Sequence, residues 1–119
     1  MKGTMKRLIA LSLLAASLAV VPLGLAARES GKATTIKVSA SEFKFALSKK
    51  SAHHGTIVFT VVNKGHITHD FKIAGKKTPM LKPGKKATLK VTLKKGSFKY
   101  MCTVPGHAAA GMKGTFKAS

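Results

Sequence analysis

A chain of 119 residues is one domain's worth of sequence with room for a single core, and its one cysteine, Cys102, excludes an internal disulfide. Lys and Arg total 22 against three acidic residues, a formal charge of +19 that favours anionic partners or surfaces and is silent on fold.

Residues 1–27 begin with Lys2, Lys6 and Arg7, run through a mostly apolar stretch over residues 8–25 and end in small residues, the pattern of a secretory signal peptide cleaved after Ala26 or Ala27. The competing reading is an uncleaved membrane anchor, since about 18 mostly apolar residues are just enough to span a bilayer. Ser12, Ser17, Pro22 and Gly24 favour cleavage, and the lack of a cysteine there argues against a lipoprotein. Cleavage removes three cations and no acid and leaves +16. Residues 28–33 read as a flexible polar lead-in and residues 34–119 as the folded domain, in the periplasm or outside the cell.

Ile36, Val38 and Ala40 alternate with Lys37 and Ser39, the period of a half-buried strand. Phe43, Phe45 and Leu47 repeat the alternation around Lys44, and residues 48–55 form a polar connection. Residues 57–62 are almost continuously apolar and β-branched, which predicts a central strand covered on both faces; Asn63, Lys64 and Gly65 end it. Ile67, His69, Phe71 and Ile73 share one parity, so His69 falls on an apolar strand face while Thr68, Asp70 and Lys72 face away. After a turn-rich segment over residues 75–84, Ala87, Leu89, Val91 and Leu93 alternate with Thr88, Lys90, Thr92 and Lys94 as a strand wet on one face. Gly96 starts a strand in which Phe98, Tyr100 and Cys102 share a face. There is no helical period after residue 30 and no internal repeat. Short alternating strands with glycine turns predict an all-β domain, a two-sheet antiparallel Greek-key β-sandwich.

The chemistry is concentrated in residues 100–112, Y-M-C-T-V-P-G-H-A-A-A-G-M. Cys102, His107 and Met112 follow C-x4-H-x4-M spacing, and Pro105 and Gly106 supply the turn that brings the chain back. A thiolate, an imidazole and a thioether on one segment are the soft ligands of a blue-copper loop, a trigonal His2Cys set with a weak axial Met, which needs one more imidazole from elsewhere. His69 is the candidate. His66, three residues earlier, belongs by parity to the other face or to the preceding turn and reads as a surface histidine. His53 and His54 are neighbours that point oppositely on an extended chain and read as solvated. Zinc is the rival metal, since Cys and His suit it, but a structural zinc site wants a fourth strong ligand and a thioether is a poor one.

V-V-N-K-G-H-I-T-H-D-F together with Y-M-C-T-V-P-G-H-A-A-A-G-M-K-G resembles the cupredoxins of the plastocyanin and azurin superfamily, and the C-x4-H-x4-M loop is most similar to its rusticyanin and auracyanin branch. The resemblance covers roughly residues 34–119. It implies one copper per chain, held by His69, Cys102, His107 and Met112, and one-electron transfer as the activity. It also marks a departure at Asp70. The family often has an asparagine there, bonded to a hydroxyl residue beside the cysteine, here Thr103. A carboxylate at Asp70 would accept such a bond; the plainer reading is an exposed aspartate offsetting nearby lysines.

These residues lead to an exported mononuclear copper protein that carries single electrons as a monomer between redox partner proteins with acidic docking surfaces. An anionic membrane surface is a further partner for the charge. The alternative is a periplasmic copper chaperone or storage protein that delivers metal. An enzyme is not expected, because the chain has no second domain, no H-x-H pair for further coppers and no second cysteine for a binuclear centre. Nor is nucleic-acid binding, because Lys37, Lys44, Lys72, Lys90 and Lys99 spread over outward strand positions and the few aromatics fall largely on core parity.

Overall fold

Alternating apolar residues build nine strands in the computed structural model, which describes residues 32–119: β1 (Thr34–Ser41), β2 (Lys44–Leu47), β3 (Ser51–Ala52), β4 (Gly55–Asn63), β5 (Lys72–Ile73), β6 (Lys76–Lys77), β7 (Lys86–Leu93), β8 (Gly96–Met101) and β9 (Lys113–Ala118). The predicted signal peptide at 1–27 and most of the lead-in lie outside the described residues. One sheet has the order β2-β1-β4-β7 and the other β3-β9-β8-β5-β6. Their inner faces meet in one core of Ile36, Val38, Ile57, Phe59, Val61, Leu89, Val91 and Leu93 against Phe71, Ile73, Tyr100 and Phe116. This is the predicted β-sandwich, with no helix among the described residues.

The expectation of wholly antiparallel sheets is corrected. β1 runs parallel to β4, and β3 parallel to β9. A parallel pair needs a connection of a dozen or more residues. Residues 42–54 provide it: β2 turns back along β1, then β3 crosses to the other sheet before β4 returns beside β1. The two-residue strands β3 and β6 lie inside segments that read as polar or turn-rich, too short to leave a periodic signal.

Three further expectations change. β4 is central, but Val58, Thr60 and Val62 are half-buried, so only its inner face is covered. Phe43 precedes β2 and is exposed, unlike Phe45 and Leu47, which pack against the core. The strand expected from Ile67 to Ile73 survives only as Lys72–Ile73, with Ile67 at 42% exposure. The reason is that side chains take over the hydrogen bonds of this stretch. Asn63 donates to the Ile67 and Leu81 carbonyls at 2.8 and 2.7 Å and accepts the Gly65 N–H at 2.8 Å. Glu42 accepts the His66 and Ile67 N–H groups at 2.6 and 2.9 Å.

Phe71 anchors the irregular segment that leads into β5. Its ring meets Phe45 and Phe59 at centroid distances of 5.2 Å and Tyr100 at 5.5 Å, fully out of water. Burial of such a side chain contributes roughly 1.5–3 kcal/mol. It fixes, two residues upstream, the position of His69.

Candidate metal centre

β5 and β8 are antiparallel neighbours with Lys72 opposite Met101 and Ile73 opposite Tyr100. The residues just before β5 and just after β8 therefore emerge at the same end of the sandwich. His69 sits on the first segment, held by an isolated bridge to Leu81 with bonds of 3.1 and 2.8 Å. Cys102 sits on the second. As predicted, both are buried, and both belong to the inward-facing set that includes Phe71 and Tyr100.

His107 and Met112 are brought back by a compact loop. The His107 N–H donates to the Val104 carbonyl at 3.0 Å across Pro105 and Gly106, and Gly106 has a φ of 85°. Proline second and a positive-φ glycine third define a type II turn, which a side chain at position 106 would strain. The Met112 N–H then donates to the His107 carbonyl and the Cys102 N–H to the Met112 carbonyl, each at 3.1 Å, so the loop closes on its own first residue. Met112 is fully buried and packs with Cys102 and Ala40.

The donors converge. His69 Nδ1 and His107 Nδ1 are 3.1 Å apart, and Cys102 Sγ lies 3.9 Å from the first and 3.6 Å from the second. The circumradius of that triangle, the product of its edges over four times its area, is about 2.1 Å. Bonds from imidazole nitrogen and thiolate sulfur to a first-row metal such as zinc are about 2.0–2.3 Å. One ion thus fits among all three atoms at once, and two imidazoles with one thiolate are the trigonal set that suits copper. His66, His53 and His54 are exposed and outside this cluster.

Electrostatics follow from burial. Loss of water pushes the Cys102 thiol up from its ordinary value and lowers His69, an effect the Glu42 carboxylate opposes. His69 is therefore a neutral imidazole near pH 7, the form that can ligate. Asp70 is fully buried, contrary to its predicted outward parity, because the regular strand starts only at Lys72 and the Asp70 side chain reaches across to Thr103. It accepts the Thr103 backbone N–H at 2.6 Å and the Thr103 hydroxyl proton.

Sequence reasoning missed Glu42 and Phe43. The Phe43 ring stands edge-on to His107 with centroids 5.0 Å apart, and Glu42 Oε1 lies 3.6 Å from His69 Nε2. The available signal was scarcity: the chain has three acidic residues, and two of them, Glu42 and Asp70, border this site.

The model of the copper binding proteins, plastocyanin/azurin family, matches residues 30–119. Among solved structures, auracyanin from Roseiflexus castenholzii is 24% identical over 75% of this chain and 99% of its own, with a TM-score of 0.63. Rusticyanin from Thiobacillus ferrooxidans is 22% identical over 76% of this chain and 79% of its own, with a TM-score of 0.64. The copper nitrite reductase of Nitrosomonas europaea is 18% identical over 74% of this chain and 42% of its own, at 0.58. A search of curated protein sequences finds no significant match. The family match covers the whole sandwich and its converging Cys and His donors: this chain belongs to the copper-binding plastocyanin/azurin family, and copper is its cofactor.

Proposed function

We propose that the protein is an exported mononuclear blue copper protein that carries single electrons between redox partner proteins. His69, Cys102 and His107 would hold the metal through two imidazole nitrogens and one thiolate, and the Met112 thioether, buried against Cys102, would add a weak fourth donor. Bound copper supplies a one-electron couple between Cu(I) and Cu(II). The chain supplies the rest. The Asp70–Thr103 bonds and the self-closed loop fix the donors before metal arrives, which limits rearrangement between the two states. Burial excludes water.

The observation that carries this reading is the buried triangle of Cys102 Sγ and two Nδ1 atoms. Burial also argues against the delivery alternative, since a metal handed to a partner needs reachable ligands. Of the three, only His107 retains some exposure, 8%, and it is the route by which electrons enter and leave. Around it, Ala109 and Ala110 are exposed. Phe43, whose ring stands edge-on to His107, is exposed as well. Exposed apolar groups beside His107 in a chain of charge +19 suit brief docking to an acidic partner. Membership of the copper-binding plastocyanin/azurin family supports a carrier over an enzyme. The N-terminal pattern supports residues 1–27 as the export signal, ahead of a copper domain at residues 34–119.

Copper addition to the purified domain tests the assignment. One equivalent should produce an intense thiolate-to-copper absorption band, unchanged in His66→Ala and lost in His69→Ala. A colourless one-to-one complex would reject it.

A further inference from the structure

His69 uses Nδ1 toward Cys102 and His107, so its proton belongs on Nε2, at the far side of the ring. That nitrogen is buried and has no hydrogen-bond partner among the described residues. A buried N–H without an acceptor is costly, and such a group calls for a cause. The charged atom facing it is Glu42 Oε1, at 3.6 Å. This is a few tenths of an ångström beyond a direct hydrogen bond.

Glu42 is not a loose surface acid. Its Oε1 accepts the His66 and Ile67 N–H groups at 2.6 and 2.9 Å, from the same segment that carries His69. Gly65 completes the cradle, because a Cβ there would fall 2.5 and 2.7 Å from the two carboxylate oxygens. The carboxylate is therefore aimed, from a connection more than twenty residues away, at the back of a metal ligand.

We propose that Glu42 is a positioning residue of the copper centre: its cradled carboxylate takes the Nε2–H of His69, holds the imidazole in the tautomer that presents Nδ1, and favours the more highly charged Cu(II) state. The proposal rests on the reading of His69 as a copper ligand. A carboxylate behind a ligating imidazole fixes ring orientation and raises ligand basicity, and loss of such partners typically weakens metal binding about 10- to 100-fold.

The test compares copper-loaded wild type with Glu42→Gln, which keeps the shape and removes the charge. The blue band should persist, the midpoint potential should rise, and Cu(II) affinity should fall by about tenfold or more while Cu(I) affinity changes less. If Glu42 only clamps the His66–Ile67 backbone, Glu42→Gln would lower unfolding stability yet leave potential and both affinities unchanged, and the proposal fails. Wild-type protein alone gives a second reading that needs no variant. In the diamagnetic Cu(I) form, the His69 Nε2–H proton should resonate far downfield, as an N–H bonded to a carboxylate. An unshifted resonance would also overturn the proposal. Absence of any blue band in wild type would instead reject the copper-site reading itself, which keeps the two failures distinct.

Discussion

Asp70 and Thr103 are joined twice, one carboxylate oxygen accepting the Thr103 backbone N–H and the other its hydroxyl proton. The pair lies beyond the last paired residues, Lys72 and Met101, and ties the segment of His69 to the segment of Cys102. Asp70→Ala would leave the two half-buried Thr103 donors without their acceptor and open a gap at the buried position of Asp70. It should cost about 3 kcal/mol in denaturant unfolding of the metal-free protein. It should also weaken copper binding by about tenfold, whereas Asp70→Asn, which keeps one acceptor, should lose less. Equal stability and affinity in Asp70→Ala would reduce the pair to a surface contact.

The ligand loop was legible because Cys102, His107 and Met112 lie on one segment, where spacing is visible directly. His69 was legible through its parity with Phe71 and Ile73. Parity failed for Asp70 and Ile67, because it assumes a continuous strand, and here Asn63 and Glu42 side chains replace the strand ladder. Glu42 and Phe43 reach the site through tertiary folding alone, and no local pattern announces such a contact. The parallel pairing of β1 with β4 was hidden for a related reason: alternation reports which face is buried and says nothing of strand direction.

Met112 is buried against Cys102, and as an axial thioether it would tune the metal more than hold it. Met112→Leu should retain copper and its colour while the midpoint potential moves upward, as measured by redox titration. Cys102→Ser should lose the colour with the sandwich still folded, as read by far-ultraviolet circular dichroism. A Met112→Leu protein with the wild-type potential would remove Met112 from the site.

Copper uptake should be linked to pH through Cys102. Burial raises its thiol, so in the metal-free protein near pH 7 the proton is on sulfur, and the metal requires the thiolate. His69, lowered by burial, is already neutral and releases nothing. Between pH 7 and 8, each copper bound should therefore displace about one proton, and affinity should rise about tenfold per pH unit. Competition titrations across that range check the sign. A flat affinity would mean that the thiol is already ionised in the folded protein.

Docking at the His107 end should respond to charge. Attraction between the basic protein and an acidic partner acts mainly on the association rate and is screened over a Debye length of about 10 Å at 0.1 M salt. Electron exchange should slow as ionic strength rises, and slow again in Ala109→Glu, which places a like charge against the acidic partner on the exposed loop beside His107. Stopped-flow mixing measures both. Rates indifferent to salt and to Ala109→Glu would move the contact face elsewhere.

Buried His69, Cys102 and His107 should keep copper in place while single electrons pass. The most direct test is a redox cycle on the copper-loaded protein, followed by visible absorption and by metal analysis after gel filtration. One electron equivalent should bleach the band, an oxidant should restore it fully, and one copper per chain should remain after every cycle. Loss of copper on reduction, or its transfer to the partner while the band fails to return, would contradict the carrier and establish a delivery protein in its place.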